Sequence, residues 1–230
     1  PDQSYLSYKL KMKKENKISG YSAKILVETK CVDISLKKKF KLTSGKESPI
    51  YCDCRRIISF PKERDQLINF AIKKIQSECS LERINNIAGG ESAGIPFASF
   101  ISQKTNHPLS YIRKEKKKFG KNSQIEGIIK PKENVLLVED LMTDGGSKIN
   151  FIKAILKTGA NISAIFVIFN YGINLDYFII NKKKIKIIYL ATWKDVIEEY
   201  VKKKSLTKKD RKLIQEFLYS IGVKNLKSYP

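Results

Sequence analysis

The residues whose types and spacing best suit ligand binding or catalysis lie in one segment, Val135–Ser147, whose sequence is VLLVEDLMTDGGS. Two acids, Glu139 and Asp140, follow an apolar run typical of a buried strand, and paired glycines then precede a stretch with helical periodicity. In an open α/β sheet, ligands bind at the carboxyl ends of the strands. The segment therefore predicts a ligand site where a strand, a loop and a helix meet.

The loop of this segment has the composition of a phosphate cradle. Gly145 and Gly146 allow the backbone to approach a phosphate closely, and the amino end of the following helix attracts anions. The hydroxyl groups of Thr143 and Ser147 can complete the cradle. Because the two preceding carboxylates would repel a phosphate, we expect them to face sugar hydroxyls. Ribose 5-phosphate offers both groups at the required separation.

The neighbouring elements predict how this segment is positioned. After residue 80, runs rich in Val, Ile and Leu alternate with helical stretches, which is typical of a mostly parallel sheet covered by helices on both faces. The predicted strands are 84–88, 109–113, 135–139, 162–169 and 185–190, and the predicted helices are 61–79, 94–105, 145–157, 192–203 and 207–220. Earlier residues break this alternation, with a helix predicted over 22–32 and extended pieces over 40–43 and 49–53.

Composition excludes several classes of protein. The chain has 230 residues, 42% of them hydrophobic, and a formal charge of +22. Only six of its 45 basic residues are Arg, so the charge predicts a lysine-coated surface and no nucleic-acid partner. No apolar run reaches the ~20 residues of a membrane helix, and no secretory signal is evident, so we expect a cytoplasmic protein. Four Cys without C-x-x-C spacing and a single His argue against a metal centre.

With these motifs established, the sequence resembles the type I phosphoribosyltransferases, whose phosphoribosyl pyrophosphate signature has the form of Val135–Ser147. A second segment resembles the mobile catalytic loop of orotate phosphoribosyltransferases. It begins with R-K-E at Arg113, places Lys117 four positions later and closes with E-G at Gly127. The resemblance covers roughly residues 40 to 200 and includes SGKESP over 44–49 and GGESAGIP over 89–96.

The resemblance implies transfer of ribose 5-phosphate from phosphoribosyl pyrophosphate to orotate, giving orotidine 5′-monophosphate and pyrophosphate. It implies Mg²⁺ held through substrate and water with no direct protein ligand, and a homodimer that shares the catalytic loop across its interface. The implied catalytic residues are Lys117, Arg113 and Asp140. The implied ribose 5-phosphate contacts are Glu139, Asp140, Thr143, Asp144, Gly145, Gly146 and Ser147. The implied pyrophosphate contacts are Arg113, Lys114, Lys117, Glu91 and Ser92, and those for orotate are Thr143, Tyr51, Cys52 and Arg55.

The expected fold class is α/β, a mostly parallel sheet flanked by helices, as in type I phosphoribosyltransferases, with a small N-terminal hood lobe. We expect a basic tail over 1–20, a helix and hood lobe over 21–80, the core over 81–204 and a C-terminal helix over 205–230. The chain departs from the family pattern at four positions that concern the base and the pyrophosphate. These are Thr43, Ala93, Phe119 and Asn170.

Three other functions are compatible with parts of the sequence. Gly90–Gly94 satisfies the G-x-S-x-G pattern of serine hydrolases, but that fold needs a late His and the chain has only His107. A non-enzymatic sensor of phosphoribosyl pyrophosphate would keep the sugar-phosphate site and would not need the ordered catalytic loop. A phosphoribosyltransferase for another base would differ only in the base contacts, where Arg55 or Arg56 could meet a carboxylate.

Overall fold

The computed structural model describes residues 17–41, 47–115, 123–174, 176–223 and 226. Its helices are α1 (17–28), α2 (Pro61–Cys79), α3 (Gly94–Thr105), α4 (Lys148–Lys157), α5 (Trp193–Lys202) and α6 (Lys208–Ser220), with 3-10 turns at Cys54–Ser59 and Leu81–Arg83. Its strands are β1 (Val32–Ile34), β2 (Phe40–Lys41), β3 (Glu47–Ser48), β4 (Ile50–Cys52), β5 (Asn86–Gly90), β6 (Leu109–Ile112), β7 (Ile125–Glu126), β8 (Asn134–Met142), β9 (Asn161–Asn170), β10 (Tyr177–Ile180) and β11 (Lys183–Thr192).

A seven-stranded sheet organises the molecule, in the order β10-β11-β9-β8-β5-β6-β7. The strands from β11 to β6 pair in parallel, and β10 and β7 add antiparallel edges. The expected α/β fold with a mostly parallel sheet is confirmed. From β5 the chain crosses to one side to form β6 and later returns to the other side as β8. Strand order therefore reverses between β5 and β8, where α/β folds bind ligands.

Both faces of the central strands are buried, which explains their continuous apolar sequence. On β8, Leu136 and Val138 join the core beneath α2, α3 and α5, whereas Val135 and Leu137 pack with α4 on the opposite face. All four side chains are fully buried. A strand with both faces buried loses the polar alternation of a half-exposed strand. This packing fixes where the carboxyl end of β8 emerges.

The N-terminal segment differs from its prediction. The helix begins at residue 17, whereas the prediction placed its start at Ser22. Ser22 therefore lies within α1, where it is fully buried. The helix stops well before residue 32, because Lys30 adopts a left-handed φ of 54° and Val32 pairs with Cys52 in a two-stranded sheet. Helical periodicity continues over these residues, but tertiary pairing with β4 overrides it. The four-part division of the chain remains a prediction.

Strand β10 had not been predicted. It forms a hairpin with β11 through Asn181 and Lys182, both with positive φ, of 48° and 63°. Hairpins with this turn usually carry Gly at the second position, and a Lys there hides the turn signal. The hairpin places Phe178 against the glycine turn that follows β8.

No helix within the described ranges has both the length and the apolar character needed to cross a bilayer.

Candidate active site

A cleft of about 740 Å³ opens at the carboxyl ends of β5 and β8. The N-terminal lobe closes one side with β4 and the following turn, and α4 closes the other. The lining comprises Cys52, Asp53, Arg55, Glu91, Ser92, Ala93, Lys114, Glu115, Glu139, Asp140, Leu141, Ser147, Lys148, Asn150 and Phe151. The fold thus brings together residues from five separate stretches of sequence.

Most of the residues predicted for the site lie in this lining. They are Glu139, Asp140, Ser147, Glu91, Ser92, Lys114, Cys52 and Arg55. Thr143, Asp144, Gly145 and Gly146 form the adjoining turn, and Arg113 lies at the edge, where the catalytic loop begins. Tyr51 points elsewhere and stacks on Phe40 with ring centroids 5.4 Å apart. Lys117 lies outside the described residues.

Lys148 is the functional residue that the sequence analysis missed. Its ammonium group forms an ion pair with Glu139 Oε2 and lies 3.2 Å from Ser147 Oγ. The Lys148 side chain is 5% exposed and that of Glu139 is 7% exposed, so the pair is buried within the lining. A lysine directly after the paired glycines was the only available signal, and in a chain this rich in Lys it carries little weight.

Two glycines make room for the Glu139 carboxylate. A Cβ at Gly90 would lie 2.6 Å from Glu139 Oε1, and one at Gly94 would lie 2.7 Å from the same atom. Real Cβ atoms do not approach an oxygen this closely. A Cβ at Gly94 would also lie 2.3 Å from the Val138 carbonyl oxygen, and one at Gly90 would lie 2.7 Å from the Phe151 ring, so the carboxylate and its neighbours leave room only for Gly at both positions.

The structure around the β5–α3 turn rules out the serine hydrolase interpretation of Gly90–Gly94. Ser92 lies at the carboxyl end of β5, whereas His107 precedes β6 at the opposite edge of the sheet. His107 hydrogen-bonds through its ring to Thr105 Oγ1 at 2.9 Å and to the Leu81 carbonyl at 3.3 Å. The glycines of the G-x-S-x-G pattern pack against Glu139, and His107 does not lie beside Ser92 as a catalytic base would.

Burial shifts the ionisation of both acids. Desolvation raises the pKa of Glu139 to about 7, although the neighbouring Lys148 opposes the shift. Burial also raises the pKa of Asp140 above its usual range, again against the effect of Lys148. The acids therefore sit where ionisation is costly, and each gains from a partner that donates hydrogen bonds or brings positive charge.

The turn after β8 has the geometry of an anion cradle that is already engaged by a carboxylate. The Gly146 amide donates to Asp144 Oδ1 at 3.0 Å. The Asp144 carbonyl accepts from Asn174 Nδ2 at 3.1 Å, so the loop after β9 supports this turn. A phosphate that binds the Gly146 amide must displace the Asp144 side chain.

Asn170 supports the same loop. It is fully buried, its Nδ2 donates to the Asn174 carbonyl at 2.8 Å, and its Oδ1 accepts from the Gly172 amide at 2.8 Å. Both ends of its amide group are therefore occupied by the backbone of residues 172–174. This Asn positions the loop that braces the cradle, and its complete burial keeps it from the surface of the cleft.

The two stems of the predicted catalytic loop are held together. The Arg113 amide donates to the Gln124 carbonyl at 2.8 Å, and Gln124 Nε2 returns a bond to the Arg113 carbonyl at 2.9 Å. Glu91 Oε2 accepts from the Lys114 amide at 2.7 Å, which ties the first stem to the β5–α3 turn. Arg113 also lies 3.7 Å from Glu126. The residues between the stems, 116–122, lie outside the described part.

The side of the cleft formed by the N-terminal lobe carries one cation and two thiols. Arg55 Nε pairs with Asp53 Oδ1 at 2.6 Å, and the Arg55 side chain is 59% exposed. Cys52 and Cys54 have sulfur atoms 3.5 Å apart, and burial raises the pKa of the Cys52 thiol. A thiol in this state is a poor nucleophile, so the chemistry of this side depends on Arg55.

The charge of the lining is unusual for a site that binds phosphates. Five carboxylates face three cations among the described lining residues: Asp53, Glu91, Glu115, Glu139 and Asp140 against Arg55, Lys114 and Lys148. No cluster of three or more His, Cys, Asp or Glu in the described ranges could hold a metal ion. Within the described residues, the lining therefore carries more negative than positive charge.

Fold and cleft together define a phosphoribosyltransferase: the family model described as a phosphoribosyl transferase domain matches residues 62–208. The orotate phosphoribosyltransferase of Dinoroseobacter shibae is 44% identical over 179 residues, which cover 77% of this chain and 79% of the relative. The Rhizobium rhizogenes enzyme is 39% identical over 198 residues, 85% of each chain. The structure of Leishmania donovani UMP synthase superposes with a TM-score of 0.72 and 27% identity, covering 88% of this chain and 42% of that one.

The chain belongs to the orotate phosphoribosyltransferases of pyrimidine biosynthesis, and the family and enzyme class expected from the sequence are confirmed.

The glycine turn generates a first prediction. Gly145 has a φ of +90°, and a Cβ there would lie 2.5 Å from the Phe178 ring and 2.6 Å from Met142 Cε. Gly145→Ala should destabilise the fold by about 2 kcal/mol or more through backbone strain and overpacking. Gly146→Ala is the matched control, since its Cβ would come no closer than 3.5 Å to Asp144. Thermal unfolding should separate the two variants, and equal melting temperatures would contradict this account.

The buried acid generates a second prediction, on pH. Because the folded-state pKa of Glu139 lies near 7, above its usual value of 4.5, the native state holds a proton that the unfolded chain releases. Stability should therefore fall by roughly 3 kcal/mol as pH rises from about 4.5 to above 7. The measurement is urea unfolding across this range, relative to the Glu139→Gln, Lys148→Met double variant, in which neither group titrates. Both proteins also carry Asp140→Asn, because Lys148 lowers the pKa of Asp140 and the titration of that acid would otherwise differ between them. Parallel pH profiles would refute the shift.

Proposed function

We propose that this chain binds phosphoribosyl pyrophosphate across the cleft and transfers its ribose 5-phosphate to N1 of orotate, releasing pyrophosphate. The observation that carries the proposal is the placement of Glu139 and Asp140. Both are buried at the switch point of the sheet, directly before a glycine turn that leads into α4. A ligand that carries both sugar hydroxyls and a phosphate matches this arrangement, because the acids can accept from the hydroxyls and the amides of the turn can donate to the phosphate.

The ribose lies over the end of β8 in this proposal. Asp140 and Glu139 accept hydrogen bonds from its 2′ and 3′ hydroxyls. These bonds replace the hydrogen bonds to water that the two acids lose on burial. The 5-phosphate enters the turn formed by Thr143, Asp144, Gly145, Gly146 and Ser147. Because the Gly146 amide donates to Asp144 in the free protein, the Asp144 side chain turns away as the phosphate binds.

The pyrophosphate lies between the β5–α3 turn and the stem of the catalytic loop. Ser92 offers a hydroxyl there, and Arg113 and Lys114 bring positive charge. Glu91 acts through its bond to the Lys114 amide, since its carboxylate would repel pyrophosphate. Mg²⁺, when bound to the substrate, offsets the charge that grows on the leaving pyrophosphate. In this proposal the ion enters with the substrate and is held through substrate and water.

The reaction breaks the bond between C1 of the ribose and the pyrophosphate oxygen. Positive charge develops on the ribose, next to the buried acids, and negative charge develops on the pyrophosphate, next to the loop. Lys117 meets the second charge when the loop closes, and closure keeps water from attacking the activated sugar. Hydrogen bonds between Arg113 and Gln124 hold the two ends of this loop together.

Orotate binds on the side formed by the N-terminal lobe. Arg55 is the cation best placed to meet its carboxylate, and it must exchange some of its contact with Asp53 for the ligand. Cys52 and Thr143 border the same region, whereas Tyr51 would have to leave its stack on Phe40 to take part. A homodimer in which each loop serves the neighbouring site completes the proposal.

The deciding experiment follows the absorbance of orotate after addition of phosphoribosyl pyrophosphate and Mg²⁺. Consumption of orotate, and none of uracil or adenine in parallel reactions, would support the proposal. Turnover of another base would mean a different base specificity. Tight binding of phosphoribosyl pyrophosphate without turnover of any base would identify a sensor.

Replacing Asp140 with Asn tests the ribose site. The change removes a charge-assisted hydrogen bond and should weaken binding of phosphoribosyl pyrophosphate and orotidine 5′-monophosphate by about 1.5 to 3 kcal/mol each. Calorimetric titration of both ligands provides the measurement. Asp65→Asn, on the surface beside Lys104, is the control and should leave both affinities unchanged. Unaltered affinities in the Asp140 variant would remove the sugar assignment.

Replacing Lys117 with Ala tests the loop. Since this cation is proposed to act at the transition state, kcat should fall while substrate affinity changes little. Lys116→Ala and Lys118→Ala, in the same loop, should retain more activity if the register is correct. Mixing the Lys117→Ala protein with the Asp140→Asn protein should restore activity, because one hybrid site would have an intact cradle and an intact loop. Freely exchanging subunits without recovery would exclude a loop that acts across the dimer.

A further inference from the structure

Lys148 occupies a position that disfavours a cation. It is the first residue of α4, where the positive end of the helix dipole repels an ammonium group, and it is only 4% exposed. Removing a lysine from water is also costly unless an opposite charge accompanies it. The ion pair with Glu139 offsets both costs, and the Ser147 hydroxyl, 3.2 Å from the ammonium group, accepts a further hydrogen bond.

Glu139 in turn depends on Lys148. One carboxylate oxygen, Oε2, accepts from the ammonium group, and Lys148 Nζ also lies near Ser147. The other oxygen, Oε1, is buried against Gly90 and Gly94 and has no hydrogen-bond partner of normal geometry in the described ranges. Asp140, the next residue, adds a second negative charge. No other cation pairs with Glu139 among the described residues, so Lys148 is the cation that favours its charged form against the effect of burial.

We propose that Lys148 is a positioning residue for the sugar-phosphate substrate: its ion pair favours the ionised form of Glu139 and aims that carboxylate at the ribose hydroxyls, without contact between Lys148 and the substrate. A protonated Glu139 would lose its charge and part of its capacity to accept, so its hydrogen bonds from the ribose hydroxyls would weaken. The pair also cancels one of two adjacent negative charges, which lowers the repulsion that the substrate phosphates meet. This inference rests on the proposed function, because it assigns the ribose to the end of β8.

A double-mutant cycle tests this coupling. Lys148→Met keeps the length of the side chain and removes its charge, and Glu139→Gln removes the partner charge. The probes are ribose 5-phosphate, inorganic pyrophosphate and orotate, titrated separately by calorimetry. We expect Lys148→Met to weaken ribose 5-phosphate about tenfold or more, with pyrophosphate and orotate little changed. The double variant should bind no worse than Glu139→Gln, because a neutral Glu139 leaves Lys148 nothing to position.

Kinetics add a readout that a purely structural role would not reproduce. Lys148→Met should raise KM for phosphoribosyl pyrophosphate and leave KM for orotate unchanged, and Lys148→Arg should recover part of the loss by retaining the charge. If Lys148→Met weakens ribose 5-phosphate equally in the Glu139→Gln background, Lys148 contacts the substrate directly and the proposal is overturned. Unchanged binding in the single variant would overturn it as well.

Folding does not block the test. If Lys148→Met alone fails to fold because Glu139 is left charged and buried, the double variant removes both charges and is compared with Glu139→Gln. Equal binding supports the proposal, and weaker binding in the double variant contradicts it. Failure of the proposed function is recognised separately, since a wild-type protein that does not consume orotate can still show the coupling in ribose 5-phosphate binding.

Discussion

The structure of the site depends on burying two adjacent carboxylates at the end of one strand. β8 runs through the middle of the sheet with both faces covered, so its last residues emerge in a region from which water is excluded. A carboxylate there is costly unless something compensates it. Lys148 compensates Glu139 in the free protein, and in the proposed complex the ribose hydroxyls compensate both acids. The ligand thus completes an arrangement that the fold leaves partly unsatisfied.

The same constraint reaches the neighbouring strand. Gly90 and Gly94 flank a turn whose sequence matches a nucleophile motif, yet the structure shows that their lack of a side chain accommodates Glu139. The motif and the acid pair are therefore two parts of one packing arrangement between β5 and β8. A small-residue pattern can have the same form for different physical reasons, and only the contact across the strands distinguishes them.

Different contacts hold the two sides of the cleft. The cradle is braced by side-chain amide contacts from Asn170 and Asn174, which link the end of β9 to the turn after β8. On the opposite side, Gln124 and Glu91 hold the stems of the loop. Such a division suits a reaction in which the sugar must stay in place while the leaving group is enclosed and released.

The sequence by itself determined the parallel sheet, the boundaries of α2 and α3, and the segment around Glu139 and Asp140, because apolar runs, Pro and Gly signals and adjacent acids are local features. It did not determine the end of α1, the hairpin of β10 or the role of Lys148. Each of these depends on a partner distant in the chain or hidden by composition: a strand that pairs with Val32, a turn that carries Lys instead of Gly, and a carboxylate nine residues away across a buried cleft. Only tertiary packing decides such features. Lys is common throughout this chain, and it is burial beside Glu139 that distinguishes Lys148 from the other lysines.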